Sequence, residues 1–285
     1  MRLAHVAVIA LSACRPPFAS ASDTQAVEQV EHRAPTAFTV EVRGHGRPVI
    51  LIPGLGCPSS VWGGMVEHLR DHETHALTLA GFAGNARIDG PLLATTVKQL
   101  ARYIRDRHLE SPIIIGHSLG GSLAYWLAAR EPALVGPVII VDAGAPAGTD
   151  PDGAAQARDM WRQLDDERFV QQVNETFGQM SAKPAQLQPV IAEVARSDRR
   201  AIGDAVYELS TTNVRKHLGN IRAPVLLVLA DGSLQDDFRR EAAGVPRREV
   251  VVVPNTGHFV MLDDPTRFFA AVDGFLAKHD AIAAN

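Results

Sequence analysis

The chain predicts an α/β fold: a mostly parallel central sheet with helices on both faces and a small helical cap. Three observations predict it. Short runs rich in Val, Ile and Leu alternate with amphipathic helical patterns, the rhythm of a parallel sheet covered on both sides. Between 143 and 222 that rhythm lapses into a polar stretch of short helices, an insertion set between one strand and the next. With 285 residues, 46% of them hydrophobic, the chain can bury the large core of one such domain plus an insertion.

Taken in order, buried strands are expected at 38–42, 49–52, 74–79, 113–115, 138–141, 225–229 and 250–253, each a β-branched or Leu-rich run. Helices are expected at 92–107, 119–129 and 268–278, where apolar residues recur at helical spacing. The insertion reads as helices at 154–164, 167–177 and 189–196. The organisation is therefore a first core part at 36–143, a helical cap at 144–222 and a second core part at 223–285.

The most informative segment is Gly116-His-Ser-Leu-Gly120, which interrupts the β-branched run Pro112-Ile-Ile-Ile and opens a helical pattern. A serine between two glycines, on a turn from strand to helix, is the arrangement of a nucleophile elbow. The backbone there is strained and crowded, so neither glycine has room for a side chain. Ser118 would stand at a helix N-terminus, where backbone N–H groups favour developing negative charge. Partners exist elsewhere. Arg248-Glu-Val-Val-Val-Val-Pro-Asn-Thr-Gly-His258 is a strand running into a loop that ends in histidine, and Arg47-Pro-Val-Ile-Leu-Ile-Pro-Gly-Leu-Gly56 is a strand ending in a glycine-rich turn. Nucleophile first and base last is the chain order this chemistry uses on such a sheet.

With these motifs in order, the chain resembles the α/β-hydrolase family, in particular its esterase-like members with a helical cap. The resemblance covers roughly 36–280 and extends to Leu79-Ala-Gly-Phe-Ala-Gly84 and Gly257-His-Phe-Val-Met-Leu-Asp-Asp-Pro265. One departure is plain: most members carry His-Gly in the oxyanion loop, and this chain has Pro53-Gly54. The donor at Leu55 is kept, but a side chain that helps fix the loop is missing.

In the chemistry expected, Ser118 attacks an acyl carbon, and His258, the one histidine of eleven on a loop after a late strand, takes and returns the proton. The N–H groups of Leu55 and Leu119 hold the oxyanion, at about 3 kcal/mol per donor. His117 reads as a turn residue packed on its neighbours rather than a second base. The third member is open. In most of the family the acid follows the strand at 225–229, where this chain offers Asp231 and Asp236; Asp142 ends the strand before it, 24 residues after Ser118, a position used by other relatives. Asp142 ranks first, then Asp231, then Asp236.

The leading function is therefore a serine hydrolase of the carboxylic-ester type, with thioester, lactone or amide cleavage open to the same machinery. Trp62, Met160 and Trp161 would line an apolar substrate pocket, or simply form core. The alternatives are a non-catalytic ligand-binding protein on the same fold and a cofactor-free oxygenase or lyase. Dehalogenases and epoxide hydrolases need a carboxylate where Ser118 stands. Neither a metal cluster nor a phosphate loop with its lysine is visible, so no cofactor is expected and the partner is a small ester-like molecule. Twenty-eight basic against 32 acidic side chains, net −4, give no reason to expect nucleic acid. No apolar run reaches the length of a membrane span.

Met1-Arg2 and the apolar run ending Leu11-Ser-Ala-Cys14 read as an export leader over 1–21, which implies a periplasmic, secreted or lipid-anchored protein; the alternative is an unprocessed leader on a cytoplasmic one. Leu11-Ser-Ala-Cys14 resembles a lipoprotein box, with Cys14 as the anchor, and Ala19-Ser-Ala21 a cleavage site. Either leaves Cys57 unpaired and without a disulfide, a small apolar filler beside the oxyanion turn.

Overall fold

The computed structural model describes residues 28–29, 36–232 and 234–280; the leader at 1–21, with Cys14, lies outside them. The strands are β1 (Glu28–Gln29), β2 (Phe38–Arg43), β3 (Arg47–Ile52), β4 (His72–Leu79), β5 (Ile113–His117), β6 (Val138–Val141), β7 (Val225–Ala230) and β8 (Arg248–Val253). They form one sheet in the order β1-β2-β4-β3-β5-β6-β7-β8. Pairing is parallel from β4 through β8 and antiparallel where β2 meets β4 and β1. Every residue of β5, β6 and β7 is buried, which is why these runs show no polar alternation: both faces of the sheet are covered.

The helices are α1 (Gly63–His68), α2 (Leu92–Asp106), α3 (Leu119–Arg130), α4 (Pro151–Gln163), α5 (Asp166–Gly178), α6 (Pro184–Val194), α7 (Arg199–Thr211), α8 (Gln235–Glu241), α9 (Val260–Asp263) and α10 (Pro265–Asp280). In α2, Leu93, Val97, Leu100 and Ile104 face the core at helical spacing. Helix α3 is buried on nearly every side, so its sequence carries little polar face.

Helices α4 to α7 lie between β6 and β7. The third of them begins at Pro184 rather than Pro189, because a proline in the first turn removes an amide that has no helical partner; Pro189 is carried inside the helix. Helix α7 was not expected from the sequence. Asp198 caps it, accepting from the amides of Arg200 (2.8 Å) and Ala201 (3.1 Å). Helices α4 and α7 approach closely at Gly203, where a Cβ would come within 2.7 Å of the Arg158 carbonyl oxygen. An antiparallel bridge between Ala147 and Asn213 closes the base of the insertion. Glu208 of α7 then anchors it to the core, accepting from the amides of Leu92 (2.5 Å) and Leu93 (2.9 Å) at the open N-terminus of α2. Among the described residues no helix is long and apolar enough to cross a membrane.

Candidate active site

Ser118 follows β5 directly and caps α3 with φ 54° and ψ −119°, a left-handed conformation that a non-glycine residue holds only under constraint. The constraint comes from both sides. A Cβ at Gly116 would lie 2.2 Å from the Gly120 carbonyl oxygen, and one at Gly120 would lie 2.2 Å from that of Ile52. Both contacts are to backbone, so nothing can swing aside. The glycines are what let α3 start hard against β5 and β3.

Asp142 leaves β6 in the same manner, with φ 44°. His117 of β5 is paired with Val141 of β6, so Ser118 and Asp142 emerge side by side from adjacent strands. Each stays tied to the ladder: the Ser118 amide donates to the Val141 carbonyl (3.0 Å) and the Asp142 amide to that of Val228 (2.9 Å). The buried Asp142 carboxylate accepts from the Ala230 amide through Oδ1 (2.9 Å) and faces His258 Nδ1 through Oδ2 (2.6 Å). A carboxylate only accepts, so Nδ1 carries a proton, and in the neutral ring Nε2 is the nitrogen left to accept one. Asp231 and Asp236, the other candidates for this contact, stand exposed beyond β7.

The main chain around His258 is held at several points. Its amide donates to the Met180 carbonyl (2.7 Å), and His117 Nε2 donates to its carbonyl (2.9 Å). His117 is buried against the rings of His258 and Phe259, with centroids 4.7 and 4.8 Å away. Burial first, and then the neighbouring His258, push its pKa well below the usual histidine range. It is thus a neutral packing residue and hydrogen-bond donor. Asp263, which the sequence reading did not single out, lies buried beneath the same loop and accepts from the amide of Gly257 (2.6 Å).

The turn after β3 passes over Ser118: a Cβ at Gly54 would come within 3.3 Å of Ser118 Cβ and 3.0 Å of His117 Nδ1. Leu55 follows in that turn, and Leu119 opens α3, where a first-turn amide has no partner within the helix. Ser197, from the insertion, joins the turn to a second loop by accepting from the Ala83 amide (2.9 Å) and donating to the Gly56 carbonyl (3.3 Å).

The three apolar side chains expected around a substrate lie in different surroundings. Trp62 is wholly buried in the core, Trp161 packs edge-on against Phe169 with centroids 5.9 Å apart inside the insertion, and Met160 is 43% exposed. Cys57 is buried, and desolvation pushes its thiol up to about 12. No group of three or more His, Cys, Asp or Glu able to hold a metal occurs among the described residues.

A pimeloyl-[acyl-carrier protein] methyl ester esterase of Vibrio vulnificus (strain YJ016) is 23% identical over 260 residues, spanning 84% of this chain and 97% of that protein. Among solved structures, a hydrolase from Pseudomonas aeruginosa PA01 superposes with a TM-score of 0.77 at 17% identity, covering 89% of this chain and 99% of that one. A thermophilic esterase from Thermogutta terrifontis does so with a TM-score of 0.74 at 19% identity, over 89% and 99%. The family model described as alpha/beta hydrolase matches residues 49–272, most of the chain and every element of the site above, and the protein belongs to that family.

Proposed function

We propose that the protein is a serine hydrolase that cleaves a small, apolar carboxylic ester through an acyl-enzyme. The observation that carries the reading is the contact of Asp142 with His258 Nδ1 beside the strained Ser118 turn. That contact leaves Nε2 as the basic nitrogen. In the reaction His258 Nε2 removes the Ser118 hydroxyl proton as Oγ bonds to the acyl carbon. The Leu55 and Leu119 amides receive the negative charge that forms on the carbonyl oxygen. When the intermediate collapses, the carbon–alkoxide bond breaks and the departing oxygen takes the proton from His258. Water then repeats the sequence on the acyl-enzyme, releasing the acid and restoring Ser118. The V. vulnificus relative, named a methyl ester esterase, supports an ester as the substrate.

The test is labelling by a fluorophosphonate probe together with turnover of chromogenic esters of graded acyl length. The wild type should label at Ser118 and turn over the short apolar esters, and Ser118→Ala should lose both, with kcat down on the order of 10⁴ or more. A folded Ser118→Ala variant within tenfold of wild type refutes the assignment. An unlabelled wild type that binds the esters without turnover would mark a ligand-binding protein instead.

A further inference from the structure

We propose that Asp263 is a positioning residue for His258, and that it makes the placement of His258 depend on the α5–α6 turn of the insertion. The inference rests on the serine-hydrolase reading, since it matters only if His258 is the base.

Asp263 is 2% exposed, and a carboxylate at that depth persists only if its lone pairs are occupied. They are. Oδ1 accepts from Ser181 Oγ (2.5 Å) and the Lys183 amide (3.2 Å); Oδ2 accepts from the amides of Gly257 (2.6 Å) and Ala182 (3.0 Å). Four donors converge on a group that can only accept, so charge and surroundings are matched.

These donors come from two segments distant in sequence. Residues 181–183 form the turn between α5 and α6, and Gly257 immediately precedes His258. The short helix α9 folds the chain back, so a residue five places after His258 returns beneath the amide just before it. The two segments also touch directly, through the His258 amide on the Met180 carbonyl (2.7 Å). The approach is so close that a Cβ at Gly257 would lie 2.6 Å from that oxygen and 3.0 Å from Ser181 Cα. The neighbouring Asp264 has a separate task, accepting from the Arg267 amide (3.0 Å) in the first turn of α10. The carboxylate of Asp263 is thus the common fastening of the base loop and the insertion, and displacing the α5–α6 turn would carry His258 with it.

The test measures fluorophosphonate labelling rates and ester kinetics for Asp263→Ala and Asp263→Asn, with labelling rates also measured for Asp263→Ala in a His258→Ala background. Asp263→Ala should slow labelling and kcat by about 30- to 100-fold with KM within about threefold, the pattern of a misplaced catalytic group rather than lost substrate binding. Asp263→Asn should recover most of the rate. Its amide oxygen can stay on Gly257 and Ala182 while the Ser181 hydroxyl turns to accept, which leaves only the Lys183 amide opposed. Without His258, Asp263→Ala should change the residual labelling by less than about threefold, because no base remains to be moved. Equal losses in both backgrounds, or wild-type rates in a folded Asp263→Ala protein, overturn the proposal. An unlabelled wild type sinks the serine-hydrolase reading itself, and the proposal with it. If Asp263→Ala does not fold, Ser181→Ala enters the same cycle; a several-fold loss that requires His258 supports the proposal, and an unchanged rate overturns it.

Discussion

Asp142→Asn is a clean perturbation because asparagine, like aspartate, is among the non-glycine residues that tolerate what Asp142 must do: hold φ at 44° in a buried turn. The wild-type carboxylate serves two donors, the Ala230 amide at 2.9 Å and His258 Nδ1 at 2.6 Å, and asparagine has a single acceptor oxygen. If that oxygen stays on Ala230, the NH₂ faces His258, Nδ1 must become the acceptor, and the ring proton moves to Nε2. The base is then lost. If the oxygen turns to His258, the NH₂ opposes the Ala230 amide, and a buried donor left unpaired costs about 1–3 kcal/mol. A change of tautomer costs less than that, so the first arrangement prevails. The expected loss in kcat is about 10⁴, the effect of the same exchange in serine proteases and equivalent to about 5.5 kcal/mol of transition-state stabilisation. Stability should fall by no more than about 3 kcal/mol, because shape and burial are kept. The assay compares kcat on a short chromogenic ester with the melting temperature for Asp142→Asn, Asp231→Asn and Asp236→Asn. A near-normal kcat in Asp142→Asn, with a large loss in either of the others, would refute the reasoning.

Three further outcomes are expected. Gly120→Ala should destabilise by more than about 3 kcal/mol or fail to accumulate as folded protein, since its Cβ would meet backbone oxygens of Ile52 and Pro53 at 2.2 and 2.6 Å; an ordinary melting curve would count against the packing described. His117 is held neutral in the folded chain while the unfolded chain takes up a proton near the usual pH 6.5, so its contribution is present above that pH and lost as pH falls below it. Denaturant titrations from pH 7 to 5 should therefore show a decline that His117→Gln lessens by up to about 1.4 kcal/mol per pH unit, and identical slopes would exclude this cause. Cys57, buried with its thiol near 12, should resist iodoacetamide at pH 8 in the native protein and react once unfolded; rapid native alkylation would contradict its burial.

The sheet was legible in the sequence because β6 and β7 are apolar throughout and β5 is apolar up to Gly116-His117, the pattern of strands covered on both faces. Ser118 and His258 were legible because one directly follows β5 and the other lies on the loop after β8, each with its own local signature. The carboxylate partner of His258 was ambiguous for a physical reason: Asp142, Asp231 and Asp236 all follow strands, and which one reaches His258 is decided by packing between distant segments. Helix α7 was missed although Asp198 offered a capping signal, because Gly203 and the terminal Thr211 weaken its helical pattern. Asp263 was hidden by its neighbour, for in Asp-Asp-Pro the second aspartate explains itself as the cap of α10 and the first then looks redundant.

Because Ser118 and Asp142 leave adjacent strands on the same rung, the rung itself is the ruler that spaces one from the other. The loop after β7 takes no part in that spacing, since the Ala230 amide on which Asp142 rests belongs to β7 itself. A protein built this way has a spare hinge in its architecture. The exposed stretch around Asp231 and Asp236 could be lengthened, cut to make new chain ends or spliced to another domain, and the spacing of Ser118 from Asp142 would be kept by β5 and β6.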